Sequence, residues 1–167
     1  MTGDFNHGKN GAATAIAMIG MTCYIVCMTS KGWYYTSISN SGLWGGCLRN
    51  QCAGIGWNGE PSFVAARSLF IVSGIFQGFK LFLAFAFCIV KHKSSVIMGI
   101  GLADLLAGLT MLGGIIAYTV FAAPTVINGG GVFGYGFYFA WFGWLFFFIA
   151  GIFNISASNN LKSYEVV

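Results

Sequence analysis

Two charged side chains, Lys80 and Asp104, stand deep inside long apolar stretches, and their placement asks for an account before anything else does. A charge at membrane depth costs roughly 2.5–3.5 kcal/mol on insertion scales, so it marks either a proton or substrate site or a pair that fixes helix register. Between the two lies a short polar turn centred on His92, with Lys80 twelve residues before it and Asp104 twelve after. At about 1.5 Å per residue both sit about 18 Å from that turn, at equal depth on neighbouring antiparallel helices. The spacing predicts an interhelical Lys80–Asp104 ion pair, with Gln77, one turn from Lys80, adding a hydrogen bond. A register role is favoured over transport, because a small transporter needs inverted repeats and broken helices, and none is found. Arg67 lies about 19 Å outward from Lys80 on the same stretch, where its long stem can snorkel and tie the helix top to whatever lies above.

Cysteine is the other chemistry on offer. Cys47 and Cys52 fall in a polar segment, whereas Cys23, Cys27 and Cys88 fall inside apolar stretches. A bridge between the first two fits an oxidising lumen or cell exterior, and the alternative is two unrelated free thiols. Cys88, near the end of its stretch, is a candidate for palmitoylation or simply a buried thiol. Catalysis finds no constellation. His7 and His92 have no HExxH or carboxylate partner, so no metal or other cofactor is expected. An intramembrane aspartyl centre would need a second aspartate, and Asp4 is the only other one. The expectation is a protein that is not an enzyme.

The elements that must position these groups can be read from composition. Of the 167 residues 57% are apolar, 17% aromatic and only 7% charged, which nearly excludes a soluble globular enzyme. The net charge of +4 comes from scattered side chains, so no basic stripe tracks a nucleic-acid backbone. Apolar stretches run over about 11–30, 62–90, 96–123 and 132–157. Each is long enough for a bilayer core of roughly 30 Å, and none alternates with period two, so each reads as a helix. The whole chain, 1–167, is thus one four-span membrane domain, with the first stretch a retained signal-anchor. Lys9, Lys91, Lys93 and Lys162 fall on one side, and Lys31 and Arg49 on the other. The positive-inside bias then puts both termini in the cytoplasm and 31–61 and 124–131 outside, as expected for a multi-pass plasma-membrane protein. In 31–61, aromatic and β-branched residues followed by Gly/Asn punctuation favour strands and tight turns.

Within that outer segment Trp33, then Gly42-Leu43-Trp44, then Cys47 and Cys52 form a pattern that resembles the signature of the claudin superfamily, in the branch of peripheral myelin, epithelial membrane and lens fibre membrane proteins. Ala65-Ala66-Arg67 is similar to the family's entry to the second span, and 99–120 and 133–153 resemble its third and fourth spans. The resemblance covers 31–155. It implies an all-α membrane protein: a left-handed four-helix bundle under a small extracellular antiparallel sheet, with Trp44 near the membrane surface and the two cysteines bridged. There are departures. The outer segment is short for a claudin proper and has one acidic residue, Glu60, and the second outer loop is also short, which argues against a paracellular ion pore or an extended adhesive loop. The sequon Asn154-Ile155-Ser156 falls at the inner end of the fourth stretch, out of reach of glycosylation.

The function expected from these residues is that of a structural membrane protein acting in cell contact or membrane organisation by lateral or homotypic association. The alternative is an auxiliary subunit of a larger membrane channel or receptor. Membrane lipid and a second copy, or a larger membrane protein, are the expected partners. The ending Glu165-Val166-Val167 also suits a cytoplasmic PDZ domain, which would pocket Val167. Twelve of the 21 residues over 133–153 are aromatic, an abundance expected to fill space against glycine-rich faces of the other helices.

Overall fold

A computed structural model describes the backbone of residues 3–49, 51–57, 59–89 and 94–165 and the side chains of 11–49, 51–57, 59–85 and 94–162. Four helices make up most of it: α1 (Gly3–Thr29), α2 (Pro61–Ile89), α3 (Ser94–Asn128) and α4 (Tyr135–Glu165). Each contains a run long and apolar enough to cross a membrane, namely Gly11–Thr29, Pro61–Phe85, Ser94–Asn128 and Tyr135–Lys162. Phe79, Phe82, Phe85, Leu109, Ile116 and Val120 are each more than half exposed. An apolar surface of that kind all round the bundle would drive aggregation in water and costs nothing in lipid. The chain is a multi-pass membrane protein.

α2 opens at Pro61, a residue suited to the first helical position because its missing N–H would go unpaired there anyway. The Glu60 carbonyl accepts from the Phe63 and Val64 amides and closes the first turn. α3 runs past the expected end near Ala123 and carries Pro124 inside it. The carbonyl this proline leaves unpaired belongs to Val120 on the exposed face, close to the helix end, where the helix survives its loss. Gly129 then bonds back to the Thr125 carbonyl, and Gly130 turns the chain out of the helix at φ 65°. α4 likewise starts later than Val132.

Between the helices the chain builds a five-stranded antiparallel sheet: β1 (Tyr34–Tyr35), β2 (Ser39–Ser41), β3 (Gly45–Leu48), β4 (Gln51–Gly54) and β5 (Val132–Phe133). The order is β4-β3-β2-β1-β5. The start of the expected fourth stretch is therefore strand and not helix: Phe133 lies opposite Tyr34 and Val132 opposite Tyr35, which stitches the α3–α4 connection to the segment between α1 and α2.

The helices contact in the chain α1–α4–α3–α2. α1 reaches α2 through the Tyr24 hydroxyl, which donates to the Phe70 carbonyl at 2.8 Å. The apolar core, around Trp33, Leu43, Phe63, Phe70, Tyr118 and Phe137, lies beneath the sheet. Few of the α4 aromatics fill space as expected: Phe137 and Phe147 are buried, whereas Tyr138, Trp141, Phe142, Phe148 and Phe153 face outward. The α3–α4 register is set by two close approaches. Gly101 and Gly151 meet so tightly that a Cβ on either would lie about 3 Å from the other's carbonyl oxygen. Nearer the helix ends, Ser94 Oγ donates to the Ser158 carbonyl at 2.8 Å and Ser158 Oγ to the Ser94 carbonyl at 2.9 Å.

Candidate functional site

Two assemblies gather the residues singled out by the sequence. The first mounts the sheet on the bundle. Trp33, fully buried, donates from Nε1 to the Cys27 carbonyl at the top of α1, 2.7 Å away. Its ring lies edge-on to Phe70 at 5.2 Å and 4.5 Å from Tyr118, so it plugs the space where α1, α2 and α3 meet the strands. Leu43 is buried beside it. Gly42 faces the backbone of Ser30 and Lys31 so closely that any Cβ would collide with the Ser30 carbonyl oxygen, and only glycine fits. Trp44 is half-buried and meets Trp57 edge-on at 5.7 Å.

Arg67 enters this assembly from the second turn of α2. Its Nε donates to the Leu43 carbonyl and its Nη1 to the Gly56 carbonyl, both at 2.6 Å. The guanidinium lies 4.1 Å over the Phe63 ring, 5.3 Å from Trp44 and 5.8 Å from Trp57. The side chain has no exposed surface. One planar fork thus holds the loops on either side of β3 and β4, with aromatic faces replacing its lost hydration.

Cys47 and Cys52 face one another across β3 and β4 and are joined by a disulfide. The hairpin turns at Arg49, in the left-handed region at φ 52°. Because β4 is an edge strand with all four residues exposed, little besides the bridge and its ladder holds it. Replacing both cysteines with serine should cost about 2 kcal/mol by loop-closure entropy. The loss should show as faster amide exchange confined to 45–54. Unchanged exchange there after substitution would mean that the bridge is dispensable to the hairpin.

The second assembly lies between the helices. Lys80 Nζ is 2.9 Å from Asp104 Oδ1. Gln77 Nε2 donates to the same oxygen at 3.3 Å, and Asn154 Nδ2 donates to Asp104 Oδ2 at 3.3 Å. Asp104 and Gln77 have no exposed surface, and Lys80 and Asn154 are buried. Lys80 Nζ also lies 5.4 Å from the Phe147 ring. Toward the sheet, Ser73 Oγ donates to the Ala107 carbonyl at 2.9 Å and holds α2 and α3 in register.

Sequence reasoning missed Asn154, having weighed it only as a sequon at the helix end. The signal was its presence in an apolar stretch, where an amide needs a partner. Tyr24 was missed too. Its hydroxyl packs at close quarters on Gly74, whereas Gly78, one turn further along α2, faces open space. The Cys88 and Glu165 side chains and all of Val167 lie outside the described residues. Among the described residues no group of three His, Cys, Asp or Glu is arranged to hold a metal ion.

The geometry is that of a four-helix membrane bundle bearing a strand-built cap, with the Trp33, Gly42-Leu43-Trp44 and Cys47–Cys52 elements as its fastenings. No curated protein matches the chain individually. The sequence model of the PMP-22/EMP/MP20/Claudin family matches residues 11–154, and the chain belongs to that family of tetraspan membrane proteins.

Proposed function

We propose that the protein is a non-enzymatic structural tetraspan of the plasma membrane, with both termini in the cytoplasm, that organises membrane at cell contacts by associating laterally with copies of itself. The observation that supports this reading best is the mounted sheet. Its strands are fastened to α1 and α2 through Trp33 and Arg67, and it ends in the short edge strand β4. An exposed edge strand pinned by a disulfide and presenting unpaired backbone groups is a template for another chain. The polar cluster around Asp104 fits this reading as a register device, since it joins α2, α3 and α4 without a broken helix.

The protein solubilised from expressing cells in mild detergent should migrate as oligomers that contain this chain alone when analysed by size-exclusion chromatography and mass spectrometry. A stoichiometric larger membrane protein in the same peak would overturn self-association and make the chain an auxiliary subunit of a channel or receptor.

A further inference from the structure

α1 and α2 are bridged at Tyr24 and Phe70, but inward of that bridge they part. A half-open cavity of about 360 Å³ separates them, within the range of roughly 300–1,000 Å³ typical of small-molecule sites. Its walls are apolar, with Ala17, Met18 and Met21 from α1 facing Leu81 and Ala84 from α2. Met18 is 66% exposed and Leu81 56%, so the mouth opens sideways into the hydrocarbon. Thr14, Gln77, Lys80, Asp104 and Asn154 also line it and supply its polar part.

That polar part is incomplete. Asp104 can only accept, so the Gln77 amide must turn its NH₂ toward it, which leaves Gln77 Oε1 pointing elsewhere. Gln77 is fully buried, and Oε1 has no hydrogen-bond partner among the described residues. Lys80 has three ammonium protons, and one is committed to Asp104. Gln77 Oε1 has no surface open to the cavity in this structure, so a turn of the amide is what would bring its acceptor to the wall beside the Lys80 donor. Lys80 and Asp104 cancel each other's charge, so a charged guest would gain no net Coulomb attraction for the hydration it gave up. A hydroxyl group fits both, donating to Gln77 and accepting from Lys80.

Depth narrows the guest further. Lys80 stands nine residues from the end of α2 at Ile89, about 13 Å along the axis. A phospholipid would have to drag a charged headgroup that far into hydrocarbon, whereas a lipid whose head is one hydroxyl sheds little hydration. We infer that the α1–α2 cleft is a lateral binding site for a neutral lipid with a hydroxyl head, the hydroxyl seated between Gln77 and Lys80 and the hydrocarbon against Met18 and Leu81.

The test uses the full chain in phosphatidylcholine nanodiscs doped with one of three photoreactive, clickable lipids: a sterol, a diacylglycerol or a phosphatidylcholine. Cross-linked peptides are mapped by mass spectrometry. One or both hydroxyl lipids should label 17–21 and 81–84 well above the phosphatidylcholine probe, and the stronger of the two identifies the natural class. Gln77→Leu, which removes the acceptor, should reduce that labelling about tenfold, the factor carried by about one hydrogen bond. Ala84→Phe should fill the cavity, leave the polar cluster intact and abolish the labelling even if Gln77→Leu proves too unstable to purify. Phosphatidylcholine labelling equal to that of both hydroxyl lipids, or undiminished labelling of Ala84→Phe, would overturn the site.

Discussion

Arg67→Met should unfold far more readily than the parent in detergent and largely fail to reach the cell surface. The side chain is fully buried and makes two charge-assisted hydrogen bonds, to the Leu43 and Gly56 carbonyls. Each such bond contributes about 1.5–3 kcal/mol, so their joint loss should cost about 3–6 kcal/mol. That is a large part of the 5–15 kcal/mol that holds a typical domain together. Methionine keeps much of the stem packing against Phe63 and Trp44, so the cost isolates the fork and its charge from bulk. Arg67→Lys should fall between, because a compact ammonium cannot reach both carbonyls in the planar geometry that arginine offers. Thermal unfolding of the three proteins, with amide exchange over 33–56, reads the effect. If Arg67→Met melted with the parent and its sheet stayed protected, the sheet would be held by Trp33 and its neighbours alone.

Arg67 also illustrates what the sequence discloses. An arginine just inside an apolar stretch must find partners, and the sequence says as much, but it cannot say which carbonyls, because those belong to turns whose shape depends on the β2–β3–β4 pairing. The helices were legible from length and apolarity because hydrocarbon permits few alternatives. β5 was not. Two residues carry no period, and the strand exists only because Tyr34 and Tyr35, about a hundred residues earlier, lie beside it. The run of α3 through Pro124 was hidden for a related reason, since the rule that proline ends a helix weakens where an unpaired carbonyl lies near the helix end. In the polar cluster, the offset of Lys80 and Asp104 from one short turn gives their common depth directly. Asn154 arrives on a helix whose register is set by the contact of Gly101 with Gly151, a fact of packing that spacing along the chain does not contain.

That cluster predicts an order of severity that distinguishes a register device from a simple attraction. Asp104→Leu should be the most damaging single change, because Lys80, Gln77 and Asn154 all donate to the aspartate and would be left around an apolar side chain. Removing one partner of a buried pair typically costs about 3–5 kcal/mol. Lys80→Met should cost less, since Asp104 keeps two amide donors. The double variant Lys80→Met/Asp104→Leu should be more stable than Asp104→Leu alone, because it no longer strands an ammonium about 13 Å from the helix end, too far for the side chain to snorkel. The exchange Lys80→Asp/Asp104→Lys should recover much of the parent's surface expression. Amides serve as donor or acceptor, so Gln77 and Asn154 can turn their oxygens toward a lysine at 104 as readily as they now turn their nitrogens toward the aspartate. Surface expression and detergent melting of the four variants test the order. Equal behaviour of all four would sink the structural pair. An exchanged pair that expressed normally while either single change failed would tie the two residues to the geometry of α2 against α3, with no need for a transported ion or proton.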